Sequence, residues 1–311
     1  MKITLIGAGA LGGALGAKLG LAGNDVTIID INEALIRAIN EQGGMIYDGP
    51  KGTQLAPMKA CRYEDFDKID AELIVLLTKT MHSRSAMEQL KDKICEDSYL
   101  MSLQNGLGNL ELLMEYAPLE KIIVGTTLEE SNPVAPGHIK STGNGTTSIG
   151  APAGNNDMVV KVNDLFNAAG ISCSIADDIM ASIWEKVAFN CATNTMASVT
   201  RLCDKYTLGT PETMQLGLNI GSEVCDVANR AGIKANKDAV LHKLETMWKL
   251  VGDHYPSMAQ DVFARRRTEV ATINGAVYAK AQELGMQVPY TETMYRLVRC
   301  IEQNYENQYS L

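Results

Sequence analysis

The 311-residue chain has no surplus of positive charge: 28 Lys and Arg stand against 37 Asp and Glu, a net charge of −9. A nucleic-acid or anionic-membrane surface needs a basic face, so the balance argues against both partner classes. The compact basic run Arg265-Arg266-Arg267 falls in a helical pattern near Asp261 and Glu269 and reads as a solvated, partly ion-paired helix face. The seven cysteines (61, 95, 173, 191, 203, 225, 300) are scattered and odd in number, with no Cys-x-x-Cys. Neither a disulfide framework nor a zinc site follows, and reduced cytoplasmic thiols are the expectation. No apolar run approaches the roughly 20 residues that span a bilayer, and the N-terminus reads as a strand rather than a signal peptide. No Gly-x-Ser-x-Gly elbow and no Walker-type lysine loop is present, so hydrolase and kinase chemistry lack their residues. His82, His138, His242 and His254 show no ligand spacing, and no metal site is expected. Internal repeats and low-complexity segments are also missing.

What is present begins at the third residue. Ile3 to Ile6 is an apolar strand that runs into Gly7-Ala8-Gly9-Ala10-Leu11-Gly12, a G-x-G-x-x-G turn. Gly7 suits the tight bend, Gly9 lets backbone approach a pyrophosphate, and Gly12 lets the next helix pack closely on the strand. The phosphates would then face the free N–H groups and positive dipole end of that helix. Glycines are common here, 27 in all, so a turn that merely packs well is the competing reading. Context favours a dinucleotide: a second strand, Asp25 to Ile29, ends in Asp30, eighteen residues beyond Gly12, where a carboxylate accepts hydrogen bonds from an adenosine ribose.

The length suits two domains, and an apolar fraction of 46% supports a sizeable core. Strand and helix alternate through the first half: a helix over 32–42 closed by Gly43-Gly44, an edge hairpin over 45–60, and a buried strand over 72–78. Further strands follow over 99–103, 121–127 and 171–175, with turns and short antiparallel strands over 133–152. From Asp178 onward the patterns are helical, over about 179–200, 211–232, 236–251, 258–285 and 291–306. The expected fold is α/β: a Rossmann-type, doubly wound, mostly parallel sheet over 1–176, followed by an all-helical domain over 177–311. Ligands of such sheets lie beyond the carboxyl ends of the strands, so a substrate is expected in the cleft between the domains.

Steps of four put Lys186, Asn190 and Asn194 on one helical stripe bordered by the apolar Ile183, Val187 and Cys191. Burying a lysine and two amides costs several kcal/mol unless each is paired. The stripe is therefore either a helix packed on polar backbone or the wall of a polar ligand pocket. Ser257, with Gln260 three positions on, reads as a capping box; a serine at a helix N-terminus also suits a carboxylate. Glu269 is one of several acids on the same helical pattern. Lys79, just past a buried strand, and Asn105, in a glycine-rich loop after the next, sit where this fold places its cofactor.

Together these segments resemble the ketopantoate reductase family over nearly the whole chain. The landmarks are Gly7 to Gly12, Leu77-Thr-Lys79, Gln104-Asn-Gly106, Trp184-Glu-Lys-Val-Ala-Phe-Asn190 continuing to Asn194, Ser257-Met-Ala-Gln-Asp261, Thr268-Glu269 and Asn274-Gly275. The resemblance implies NAD(P)H-dependent reduction of 2-dehydropantoate to (R)-pantoate, in pantothenate biosynthesis. It implies Lys186 as general acid with Glu269 close by, Asn190 and Asn194 at the substrate hydroxyl, and Ser257 at its carboxylate. Asn105 and Lys79 would contact the nicotinamide-ribose side of the cofactor. One departure stands out. NADPH-using members commonly carry an arginine just after the second strand, but here Ile29-Asp30-Ile31-Asn32 has Arg37 as its nearest arginine. Asp30 would repel a 2′-phosphate, so NADH is expected to be favoured. Two alternatives stay open: the same chemistry on another 2-oxo acid, or a non-catalytic NAD-binding sensor. The residues leave the oligomeric state undecided, a homodimer included.

Overall fold

A computed structural model describes residues 1–247 and 253–308, which fall into two compact units. One comprises Met1–Gln104 with Asn109–Ile179, the other Asn105–Gly108 with Met180–Leu311.

The first unit is built on β1 (Lys2–Ile6), α1 (Ala10–Leu21), β2 (Asp25–Ile29), α2 (Glu33–Gln42), β3 (Gly44–Gly49), β4 (Gly52–Pro57), β5 (Lys59–Cys61), β6 (Leu73–Leu76), α3 (Thr80–Leu90) and β7 (Tyr99–Ser102). It continues with α4 (Asn109–Met114), β8 (Ile122–Thr127), β9 (Ser131–Ala135), β10 (His138–Ser141), β11 (Thr146–Gly150), α5 (Asp157–Ala168) and β12 (Ser172–Ile175). Eight strands form one sheet in the order β12-β11-β8-β7-β6-β1-β2-β5. The pairs from β5 through β8 are parallel, while β11 runs antiparallel to β8 and parallel to β12. The N-terminal part is thus the doubly wound, mostly parallel sheet that its strand–helix alternation implies. The chain leaves β1 toward β2 and β5, then returns to β1's other flank with β6, so the carboxyl ends of β1 and β6 flank the switch point of the sheet. Burial on both faces accounts for the unbroken apolar run of β6 and for the burial of Ile3, Thr4, Leu5 and Ile6 alike in β1.

The segment read as an edge hairpin behaves differently. β3 and β4 pair with each other but leave the main sheet and join β10 and β9 in a separate four-stranded sheet, ordered β4-β3-β10-β9. Only the short β5 remains as the edge of the main sheet. The reason lies in α1, a helix rich in glycine and weak in propensity. A Cβ at Gly16 would touch Leu5 and Ile28 of the main sheet, whereas at Gly20 it would lie 2.5 Å from the Pro57 carbonyl oxygen and at Gly13 near Ile139 of the small sheet. Bare backbone lets both sheets close on one helix, and packing rather than propensity makes it helical. A buried ion pair joins the same surfaces: Lys18 Nζ lies 2.7 and 2.8 Å from the two Glu129 carboxylate oxygens, and Ser141 Oγ donates to that carboxylate as well.

The second unit is helical among its described residues: α6 (Ile179–Thr200), α7 (Asp204–Thr207), α8 (Pro211–Arg230), α9 (Lys237–Met247), α10 (Ser257–Phe263), α11 (Asn274–Glu283) and α12 (Pro289–Gln303). Residues 248–251 of the helix expected over 236–251 lie outside the described residues. The continuous helix expected over 258–285 is broken. α10 stops at Phe263, Arg265 takes a left-handed φ of 52°, and α11 starts only at Asn274. Two tertiary interactions hold the gap open: Glu302 Oε1 of α12 accepts from the Thr268 N–H at 2.5 Å, and Arg266 Nε donates to the buried Asp261 at 2.9 Å. The basic run Arg265–Arg267 therefore lies in this turn and not on a helix face. Glu269 is likewise a turn residue.

Candidate active site

The glycine turn ends β1 with Gly7 at φ +95°, where the Gly7 N–H reaches the Ile29 carbonyl at 2.8 Å. A Cβ on Gly7 would lie 2.9 Å from Thr78 N, and one on Gly12 only 2.0 Å from the Gly7 oxygen. Neither position admits a side chain. Gly9 differs: it is exposed, and a Cβ there would meet open space. The first turn of α1 has no side-chain cap, so the N–H groups after Gly9 face the region a side chain would have filled. Asp30 closes the other end, accepting from Ala8 N at 2.7 Å and Asn32 N at 2.9 Å. Open backbone, uncapped donors and an anchored carboxylate fit a dinucleotide.

Lys79 is the residue before α3, half-buried, with an extended backbone. Its loop is pinned by Gln104, whose Nε2 donates to Thr78 O at 2.5 Å and Ser83 Oγ at 2.7 Å, and whose Oε1 accepts from Ser102 Oγ at 2.9 Å. One amide thus ties together the carboxyl ends of β6 and β7.

In the second unit α6 carries the lysine–asparagine stripe. Lys186 and Asn190 are half-buried and Asn194 is buried at 5% exposure. Trp184, Val187 and Cys191 pack into the helical core on the adjoining face. Asn105, read from sequence as part of the cofactor's loop, belongs to this unit, where its Oδ1 accepts from Lys186 Nζ at 2.8 Å. The loop is fastened to the turn that carries Glu269. Gly106 adopts φ +84° with the Thr272 carbonyl oxygen 2.5 Å from where a Cβ would stand, and Leu107 N donates to that oxygen at 2.8 Å. Burial lowers the Lys186 amine to about 8; the Glu269 carboxylate opposes this and the Lys243 ammonium adds to it. Lys243, on α9, lies 5.0 Å from the Phe189 ring centre and is itself lowered by burial.

Ser257 is not a cap. Pro256 occupies the cap position, Ser257 is the exposed first residue of α10, and Gln260 Nε2 donates to the Tyr255 carbonyl at 2.8 Å instead of completing a capping box. Two histidines face carboxylates: His138 Nε2 lies 2.8 Å from Asp48 Oδ2, and His254 Nδ1 lies 2.9 Å from Asp204 Oδ2. No cluster of three or more His, Cys, Asp or Glu able to hold a metal occurs among the described residues. No described helix is long and apolar enough to cross a membrane.

Sequence reasoning missed two residues. Nothing in the helical pattern marks Lys243. Arg62 was hidden by chain order: it directly follows β5, and β5 lies beside β2, so an arginine far from Asp30 in sequence arrives at the first turn of α2. Counting strands in the doubly wound order would have brought it there.

A doubly wound α/β unit opened by a G-x-G-x-x-G turn and followed by a helical unit is the architecture of NAD(P)-dependent oxidoreductases acting on a CH–OH group. Comparison with known proteins narrows the class. Residues 3–154 match the family model described as Ketopantoate reductase PanE/ApbA, and residues 178–302 match its C-terminal counterpart. The 2-dehydropantoate 2-reductase of Pyrococcus abyssi is 32% identical over 300 residues, 96% of this chain and 97% of that protein. Among solved structures, D-mandelate dehydrogenase with NADH and anilino(oxo)acetate superposes with a TM-score of 0.91 at 27% identity, covering 98% of this chain and 100% of that one. The 2-dehydropantoate 2-reductase of Geobacter metallireducens superposes at 0.87 and 27%, covering 96% and 99%. The chain belongs to the ketopantoate reductase family.

Proposed function

We propose that the chain reduces 2-dehydropantoate to (R)-pantoate, with residues 1–176 binding the dinucleotide and residues 177–311 holding the oxo acid. The observation that carries this reading is the Lys186 amine, half-buried, hydrogen-bonded to Asn105 and poised near pH 8. When bound, the reduced nicotinamide supplies the hydride to the ketone carbon. Lys186 meets the charge that develops on the ketone oxygen and delivers the proton that makes it a hydroxyl. Asn105 helps fix the direction of the ammonium through its Oδ1. Glu269 keeps the amine protonated against the desolvation that would otherwise discharge it. Asn190 and Asn194 hold the substrate's hydroxyl end, and the exposed Ser257 hydroxyl takes its carboxylate.

Gly7 to Gly12 hold the pyrophosphate, Lys79 and Asn105 the nicotinamide-ribose side, and Asp30 the adenosine ribose. The Asp30 charge supports a preference for NADH over NADPH. Seven free cysteines fit a reducing cytoplasm. Family membership sets aside the non-catalytic sensor reading. The other alternative has support of its own: the 0.91 superposition on a D-mandelate dehydrogenase shows this fold beside an enzyme named for a different 2-hydroxy acid. A panel of 2-oxo acids followed by nicotinamide absorbance separates the two. Dehydropantoate among the best substrates supports the proposal; a panel led by aromatic 2-oxo acids, with dehydropantoate turned over poorly, overturns it.

A further inference from the structure

The carboxyl end of β2 carries a cation whose partners matter for cofactor choice. Thr27, Ile28 and Ile29 run in register with Lys59, Ala60 and Cys61, and the Asp30 N–H donates to the Cys61 carbonyl at 3.1 Å. Arg62 is the next residue. Its Nη1 donates to Glu33 Oε1 at 2.7 Å, and its Nε lies 3.3 Å from Glu64 Oε2. Its backbone N–H is taken by Asp65 Oδ2 at 2.7 Å. Two carboxylates, Glu33 and Glu64, therefore hold the guanidinium, and with Asp30 at the end of β2 and Asp65 on the Arg62 backbone the ribose end of the site carries more negative than positive charge. Tyr63, beside them, has its hydroxyl held above its usual range first by burial and then by the fields of Asp30 and Glu64, as expected where these carboxylates converge.

An arginine grips a phosphate bidentately and is the side chain best suited to a 2′-phosphate. Here its fork is already engaged. We propose that Glu33 and Glu64 are specificity-determining residues: by holding Arg62 they withhold it from a 2′-phosphate, so discrimination against NADPH rests on three carboxylates and not on Asp30 alone. The inference builds on the reading of Asp30 as the ribose acceptor. The ion pairs are exposed, with side-chain accessibilities of 44% for Arg62, 76% for Glu33 and 65% for Glu64. Pairs of that kind are individually weak, so loss of both carboxylates leaves the guanidinium available without disturbing the core.

The test is the dissociation constant of NADH and of NADPH, measured by cofactor fluorescence without substrate. In Glu33→Gln/Glu64→Gln the NADPH constant should fall about tenfold while that of NADH stays within twofold, the scale of one charge-assisted contact. Adding Arg62→Gln should remove most of that gain. A double variant that gains less than twofold for NADPH, or a gain that survives Arg62→Gln intact, overturns the proposal. A parent chain that binds NADPH more tightly than NADH instead overturns the Asp30 reading, and this inference with it.

Discussion

Lys186 Nζ donates to Asn105 Oδ1 at 2.8 Å across 81 positions of chain, and the Asn105 loop is fastened through Leu107 to the turn that holds Glu269. Amine, amide and carboxylate thus share one framework inside the helical unit. The loop that carries the ammonium's partner is held by a backbone contact of its own.

Gly106→Ala tests that framework. A Cβ there would stand 2.5 Å from the Thr272 carbonyl oxygen in a backbone conformation, φ +84°, that side chains rarely adopt. The strain should cost about 1–3 kcal/mol and displace Asn105. A lower melting temperature together with a kcat reduced about tenfold or more is the expected result; the displacement of a positioned group typically costs up to a hundredfold. An unchanged kcat would detach the loop from the chemistry.

The pH dependence of reduction follows from the amine. The protonated form is the acid, so kcat/KM should be flat below about 8 and fall above it, where the Lys186 amine discharges. Glu269→Gln removes the influence that raises this value, and the alkaline limb should move to lower pH. Lys243→Met removes an influence that lowers it, and the limb should move to higher pH. Pre-steady-state or isotope-checked pH profiles of the three proteins decide it; limbs that move together, or not at all, contradict the assignment.

Asp30→Ala should narrow the NADH advantage, through weaker NADH binding as the ribose acceptor is lost and through relief of 2′-phosphate repulsion. The ratio of kcat/KM for the two cofactors reads this directly. A parent at least tenfold more efficient with NADPH would contradict the charge argument.

The buried pair Lys18–Glu129, with side-chain exposures of 6% and 0%, makes a stability prediction remote from the site. Lys18→Met leaves Glu129 buried without its cation and should cost about 3–5 kcal/mol in denaturant unfolding. Lys18→Met/Glu129→Gln should recover a large part of the loss, because the second change removes the stranded charge.

The sheet and most helices were legible because their residues are governed by local pattern. Mostly apolar, β-branched strands announce β1 and β6, Asn32 and Gly43 cap α2 at its ends, and the spacing of α6 places its stripe. What was not legible depends on partners distant in sequence. Ser257 and Gln260 match a capping box, yet Pro256 takes the cap and Gln260 turns to Tyr255. No glycine or proline marks the end of α10 at Phe263; the Glu302 carboxylate and the Asp261–Arg266 pair end it. The small sheet escaped notice because its two hairpins pair through β3 and β10, far apart in sequence, and pack on glycines of α1 whose bare backbone has no periodic signature. Arg62 and Lys243 were invisible for the same reason: their neighbours are brought by topology.

The most direct measurement is the turnover of Lys186→Met, with cofactor affinity taken on the same preparation. A positioned acid contributes on the order of 10²–10⁴ in rate, so kcat should fall by at least about a hundredfold while the cofactor dissociation constant stays within about twofold. Turnover equal to the parent's, at unchanged cofactor affinity, would contradict the account.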